Sequence, residues 1–220
     1  LSSSDDGSIK FQNVTFGYNP VNPVVKGISF SVNSGETVAL VGPTGSGKSS
    51  VMALIHRFYE VQAGAIFVSG HDVRDVTQKS LGRHIAMVLQ EPYLFTGTVM
   101  ENIRYASNWA DDKAIVDSAK AVGAHDFILA LPKGYDTMLT ERGSNLSHGQ
   151  RQLLSFARAL VADAKILIMD EATANIDSYT EMQIQKALQQ LLKGRTGLVI
   201  AHRLATIRNA DRIIVLKQGQ

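Results

Sequence analysis

The chain has 220 residues, 45% of them hydrophobic and 19% charged, with a net charge of +2 and no cysteine. That composition argues against a disordered chain, and so small a positive surplus does not predict the phosphate-backbone attraction of a dedicated nucleic-acid binder. The absence of cysteine removes disulfides, zinc-thiolate sites, iron–sulfur clusters and a thiol nucleophile.

Residues 1–8, LSSSDDGS, have neither the basic nor the apolar region of a signal peptide and read as a flexible polar leader. No apolar run approaches the roughly 18 residues of a membrane span. Ile9 and Phe11, then Val14 and Phe16, alternate with polar residues, which predicts a half-buried strand with a slip in the middle. Ile28, Phe30 and Val32 predict a second strand, and Asn33-Ser34-Gly35 a turn. Thr37 to Val41 is an apolar β-branched run of the kind buried on both faces of a parallel sheet. A glycine-rich loop follows, and then a helical pattern from Lys48 to Tyr59.

Ala65–Val68 and Ile85–Leu89 predict further strands. From about 91 to 160 the spacing turns helical, as in Ala114, Ile115, Ala119 and Val122, which predicts an inserted α-helical subdomain. Ile166–Met169 returns to buried strand, Ser178–Leu192 reads as helix, and Leu198–Ala201 and Ile213–Leu216 as strands. Lys217–Gln220 reads as the start of a hairpin turn whose returning strand lies beyond the sequence. Together these elements predict an α/β fold: a P-loop, RecA-like parallel-sheet core, an antiparallel β subdomain and the helical insert.

Gly42-Pro43-Thr44-Gly45-Ser46-Gly47-Lys48-Ser49, continued by Ser50, matches G-x-x-x-x-G-K-[ST] between the strand and the helix which that motif requires. Glycines let the backbone turn its N–H groups inward as an anion nest, and the helix start adds its positive end. Lys48 supplies charge for β- and γ-phosphates, and Ser49 a hydroxyl for Mg²⁺. The apolar run Ile166–Met169 ends in Asp170 and Glu171. Ligands of open parallel sheets sit beyond the carboxyl ends of strands, so Asp170 is a candidate Mg²⁺ partner and Glu171 a candidate to polarise an attacking water. Ser147-x-x-Gln150 is a capping-box pattern before the stripe Leu153, Phe156, Ala157 and Leu160. A capped helix start carrying Gly149 is also a potential anion site.

Leu146-Ser147-His148-Gly149-Gln150 resembles the signature sequence of ATP-binding-cassette (ABC) proteins, usually LSGGQ. With the phosphate loop and the Asp170-Glu171 pair, the resemblance covers nearly the whole chain and makes 9–220 one nucleotide-binding domain. It implies that Tyr18, on the turn that Asn19-Pro20 provide, stacks on adenine. It places Gln90 as the Q-loop glutamine, a ligand of Mg²⁺ and sensor of the γ-phosphate, Asp177 in the D-loop, and His202 as the switch histidine. It further implies a head-to-tail pair, in which ATP held by one Lys48 loop meets Ser147, Gly149 and Gln150 of a second nucleotide-binding domain.

Leu94-Phe95-Thr96-Gly97-Thr98 with Glu101-Asn102-Ile103, and Glu141-Arg142-Gly143, resemble exporter-type cassettes, where these segments meet transmembrane domains. The function implied is an ATP-hydrolysing motor at the cytoplasmic face of a membrane. Two departures stand out: His148 replaces the usual first glycine of the signature, and Ala174-Asn175 the commoner Ser-Ala. Both occur in paired, non-identical half-transporters, so homodimer and heterodimer both stay open. The alternative is a soluble ABC ATPase outside transport. A DNA-repair member would carry a long coiled coil, and the insert lacks sustained heptads. An ordinary P-loop kinase would not explain Ser147 to Gln150.

Overall fold

The computed structural model describes residues 1, 5–105, 107–170, 177–201 and 204–220. In chain order the elements begin with β1 (Ile9–Phe16), β2 (Val25–Val32), β3 (Thr37–Val41), α1 (Lys48–Ile55), β4 (Ala63–Val68), β5 (His71–Asp72), α2 (Gln78–His84) and β6 (Ile85–Val88). Then come β7 (Gly97–Thr98), α3 (Val99–Arg104), α4 (Asp112–Ala121), α5 (His125–Leu129), β8 (Met138–Leu139) and α6 (His148–Val161). The last are β9 (Ile166–Asp170), α7 (Ser178–Leu192), β10 (Thr196–Ile200), α8 (Leu204–Asn209) and β11 (Arg212–Val215). They divide into two compact units, residues 1–87 with 164–171 and 194–220, and residues 88–163 with 172–193.

The first unit carries both large sheets. A four-stranded antiparallel sheet runs β2-β1-β4-β5, and a five-stranded sheet runs β11-β3-β10-β9-β6. In the latter, β11, β3, β10 and β9 pair in parallel, with Ile200 of β10 opposite both Leu40 of β3 and Asp170 of β9. The apolar runs predict burial on both faces, and Val38, Leu40, Ile166, Ile168, Leu198 and Ile200 are all buried, packed in one core with Val51, Leu54 and Ile55 of α1. The expected slip in the first strand is a bulge: register shifts flank Val14, and Asn13 stands at φ 49°. Gly64 (φ +81°) faces that bulge so closely that a Cβ would run into the Asn13 carbonyl, so only glycine fits. In the segment read as a polar leader, Lys165 Nζ donates to Asp5 O at 2.5 Å and Gly7 N–H to Ser69 Oγ at 2.9 Å.

Helix α1 is shorter than its sequence pattern, ending at Ile55 instead of Tyr59. The stop is a Schellman turn built on an arginine. Arg57 adopts φ 55°, its N–H donates to Leu54 O, and Phe58 N–H donates to Ala53 O, each at 3.0 Å. Left-handed backbone is costly for a side chain. Here it is offset by Arg57's guanidinium, which binds Glu60 at 2.7 Å and the carbonyls of Val73, Arg74 and Val76.

The second unit is built around α6, which packs on α3, α4 and α7. With helices on several sides, α6 buries Gln152, Leu154 and Ser155 as well as Leu153, Phe156 and Ala157 of the predicted stripe, whereas Leu160 is half-buried. The expected purely helical insert also holds a small antiparallel pair, β7 with β8. Strands of two residues leave no periodicity to read.

Candidate nucleotide-binding site

Sequence first, then backbone, makes the phosphate loop. Strand β3 delivers the chain to Gly42, and Gly47 in the left-handed region (φ 104°) turns it into α1. Helices α2, α3, α4, α6 and α7 all begin with a side chain accepting a backbone N–H; α1 has no such cap and no acidic residue in its first turn. Among the described residues no side chain caps its leading N–H groups, which with its dipole are therefore open to an anion. Lys48 is 7% exposed, and its ammonium is held over the loop by the carbonyls of Gly42 (2.8 Å) and Pro43 (3.0 Å). Ser46 Oγ is buried without a hydrogen-bond partner among the described residues. Such an orphan is costly unless a ligand meets it.

The last residues of the sequence close the loop from behind. Leu216 N–H donates to Val41 O (2.8 Å), Gly219 N–H to Ser46 O (3.2 Å) and Lys26 N–H to Gly219 O (2.7 Å). Gly42 lies so close under the Leu216 carbonyl that a Cβ there would collide with it. These supports lie outside the motif, and no spacing rule points to them.

Tyr18 is 60% exposed, and its hydroxyl lies 3.2 Å from Ser50 Oγ in the first turn of α1. Asp170 ends β9, half-buried, at the level of Leu40 with β10 between them. Two strand spacings put it about 10 Å from β3 across the carboxyl edge of the sheet. Tyr18, the loop from Gly42 to Ser50, and Asp170 thus belong to one unit. Glu171, Ala174, Asn175 and His202 lie outside the described residues.

The second unit gathers a different set. Ser147 caps α6 as its pattern predicts: Gln150 N–H donates to Ser147 Oγ (3.2 Å), and Ser147 N–H to Gln150 Oε1 (2.9 Å). The Ser147 hydroxyl proton is still left for an external acceptor. Gly149 is buried directly against Thr180, where a Cβ would overlap the Thr180 methyl, so α6 and α7 touch at their first turns. Asp177 caps α7 there, accepting from Thr180 N–H at 3.0 Å, and these hydrogen bonds from Thr180 hold its carboxyl below the usual range. Ser147, Gly149, Gln150 and Asp177 therefore cluster where two helices begin. Gln90 is exposed just after β6 in the same unit. A groove of about 460 Å³ is lined by Glu91, Pro92, Tyr93, Arg142, Ser144, His148 and Arg151. Of the residues that resemble exporter loops, Arg142 lines it, and Tyr93 lies just before the Leu94–Thr98 segment.

The Mg²⁺ question turns on donor chemistry. Ser49 and Asp170 are hard oxygen donors, which suit Mg²⁺. Among the described residues no group of three or more His, Cys, Asp or Glu could hold a metal. A Mg²⁺ bound chiefly through substrate phosphates, with one or two protein oxygens, needs no such group. The residues fit the ion in that mode.

A parallel sheet whose carboxyl edge carries a glycine loop, a buried lysine and an uncapped helix start defines a P-loop nucleotide-binding domain. Residues 25–174 match the family described as ABC transporter, and the chain belongs to that family as its ATPase domain. It is 51% identical over 212 residues to an ATP-dependent lipid A-core flippase of Syntrophus aciditrophicus, covering 96% of this chain and 35% of that protein. It is 49% identical over 214 residues to a probable multidrug resistance ABC transporter ATP-binding/permease protein of Bacillus subtilis, covering 97% of this chain and 32% of that one. A solved structure of a bacterial Atm1-family ABC exporter with ATP bound superposes with TM-score 0.92 at 42% identity, over 100% of this chain and 38% of that chain. The chain thus spans about a third of the length of the relatives it matches.

Proposed function

We propose that the chain is the ATP-hydrolysing motor of an exporter-type ABC transporter, which pairs with a second nucleotide-binding domain and drives transmembrane domains from the cytoplasmic face of a membrane. The observation that carries this reading is the uncapped start of α1 beside buried Lys48, in a chain that also carries a capped, glycine-bearing second helix start at Ser147. The exporter names of the relatives support the transport part.

In this reading 9–220 forms one domain with its helical subdomain near 91–160. Tyr18 stacks on the adenine. The amides of Gly42 to Ser50, with Pro43, Thr44, Gly45, Ser46 and Gly47 between them, wrap the phosphates. Lys48 stabilises charge on the γ-phosphoryl group as its bond to the bridging oxygen breaks and ADP departs. Ser49, Asp170 and Gln90 would hold Mg²⁺, which would supply charge neutralisation for the phosphates. Glu171 orients the attacking water and receives its proton. His202 contacts the γ-phosphate. Ser147, Gly149 and Gln150 meet the nucleotide of the opposing domain, with Asp177 beside them. The groove around Tyr93 and Arg142 receives the transmembrane domains.

Lys48→Ala tests the core of this. Its ATP affinity is expected to fall at least tenfold, since it loses a charge-assisted contact of about 1.5–3 kcal/mol, and turnover disappears. Wild-type turnover in that variant would sink the assignment.

A further inference from the structure

We infer that Tyr59 is a positioning residue for nucleotide recognition, fixing the Tyr18 ring in the orientation in which it receives a purine. The inference rests on the proposed stacking role of Tyr18 and adds a residue to it. The Tyr59 ring stands at 89° to the Tyr18 ring with centroids 5.1 Å apart, and Phe16 meets the same Tyr18 ring at 79° and 5.0 Å. Phe16 and Tyr59 also touch each other, at 5.4 Å, so the rings form a closed corner. Edge-on packing of this kind is directional, and it restrains a ring in a way that plain burial does not.

Tyr18 needs that restraint, because it stands 60% exposed on a loop. Its backbone is already fixed. Val24 N–H donates to Phe16 O (2.7 Å), Asn22 N–H to Asn19 O (3.1 Å) and Gln62 Nε2 to Gly17 O (3.3 Å). What remains is side-chain torsion: the contact of the hydroxyl with Ser50 Oγ holds the tip of the ring, and Tyr59 and Phe16 limit its tilt. Phe16 is buried and belongs to the core, whereas Tyr59 is 46% exposed. Core packing thus accounts for Phe16 but leaves Tyr59 to be explained. The position of Tyr59 follows from the arginine-built Schellman turn, which stops α1 early and leaves the ring beside Tyr18. The helix that opens at the phosphate loop therefore also steadies the aromatic platform. A platform held in place before binding loses less side-chain entropy when the base arrives.

The test measures binding of ATP and of inorganic tripolyphosphate, which has no base, by calorimetry on the chain. Tyr59→Leu is expected to weaken ATP roughly three- to tenfold, the scale of one aromatic pair, with tripolyphosphate unchanged. Tyr59→Phe keeps the ring and is expected to keep the affinity. Tyr18→Ala combined with Tyr59→Leu should be no weaker than Tyr18→Ala alone, because Tyr59 acts through Tyr18. Equal losses for both ligands would mean general damage and overturn the inference, as would unchanged ATP affinity in Tyr59→Leu. If Tyr18→Ala itself binds ATP normally, the stacking reading has failed; if only Tyr59→Leu is silent, the positioning role alone has failed.

Discussion

Lys48, Gly47 and Ser49 were legible from type and spacing alone, because a phosphate nest admits few residues at those positions. Arg57 was not, since a left-handed helix stop is expected of glycine or asparagine and this one is held by contacts from Glu60 and three distant carbonyls. His56, one residue earlier, carries a consequence of the same turn. Its ring stacks on Phe58 at 5.2 Å, and Nε2 has no partner among the described residues. Burial pulls the imidazole down to about 4 from its ordinary 6.5. The unfolded chain takes up a proton below pH 6.5 that the fold refuses. Stability is therefore full above about 6.5 and falls as pH drops toward 4, by up to roughly 3 kcal/mol from this group. Urea midpoints at pH 7 and pH 5 check this. His56→Phe, which keeps the stacking and removes the titration, is expected to flatten the difference; an unchanged slope would rule His56 out as its source.

Elements were readable where their periodicity was long. The capped start of α6 and the span of α7 follow from pattern, while α2, with Leu81 as its buried residue, offers none. What pattern could not give is the way Arg158 ties α6 to the segment after Gln90. Its Nε donates to Asn102 O (2.8 Å), Nη1 to Tyr93 O (2.9 Å) and Nη2 to Asn102 Oδ1 (3.2 Å). The guanidinium also lies over Phe95 and Tyr105, 5.8 and 5.4 Å from their centroids. Burial pulls its pKa to about 10, so it stays charged at neutral pH. Arg158→Met would strand these carbonyls, and a loss of about 2–4 kcal/mol in urea unfolding is expected. Arg158→Lys should recover little of it, because the single nitrogen of an ammonium lacks the planar fork whose three nitrogens reach these separated acceptors. Full recovery by lysine would show that charge alone is what the site requires.

For the whole molecule, the decisive property is association. Among the described residues no helix is long and apolar enough to cross a membrane. Glu171→Gln should bind ATP and stall before hydrolysis. Its solution mass is expected to double on adding Mg-ATP, which would show that the chain pairs with itself despite His148. A variant that binds ATP yet stays monomeric would argue against self-pairing and point to a non-identical partner. The parallel sheet and its phosphate loop were foreseeable because the inner strands β3, β9 and β10 are largely apolar and buried. The closure of that loop by Leu216 and Gly219 was not, for it joins residues far apart in the sequence. That closure sets a timetable for biosynthesis. A ribosome will have made every residue of the loop motif long before it makes the strand that seals it, and contacts so distant in sequence form late. The loop thus gains its full support only once Leu216 and Gly219 have been made, and a chain shortened before Leu216 would carry the full motif without the support that shapes it.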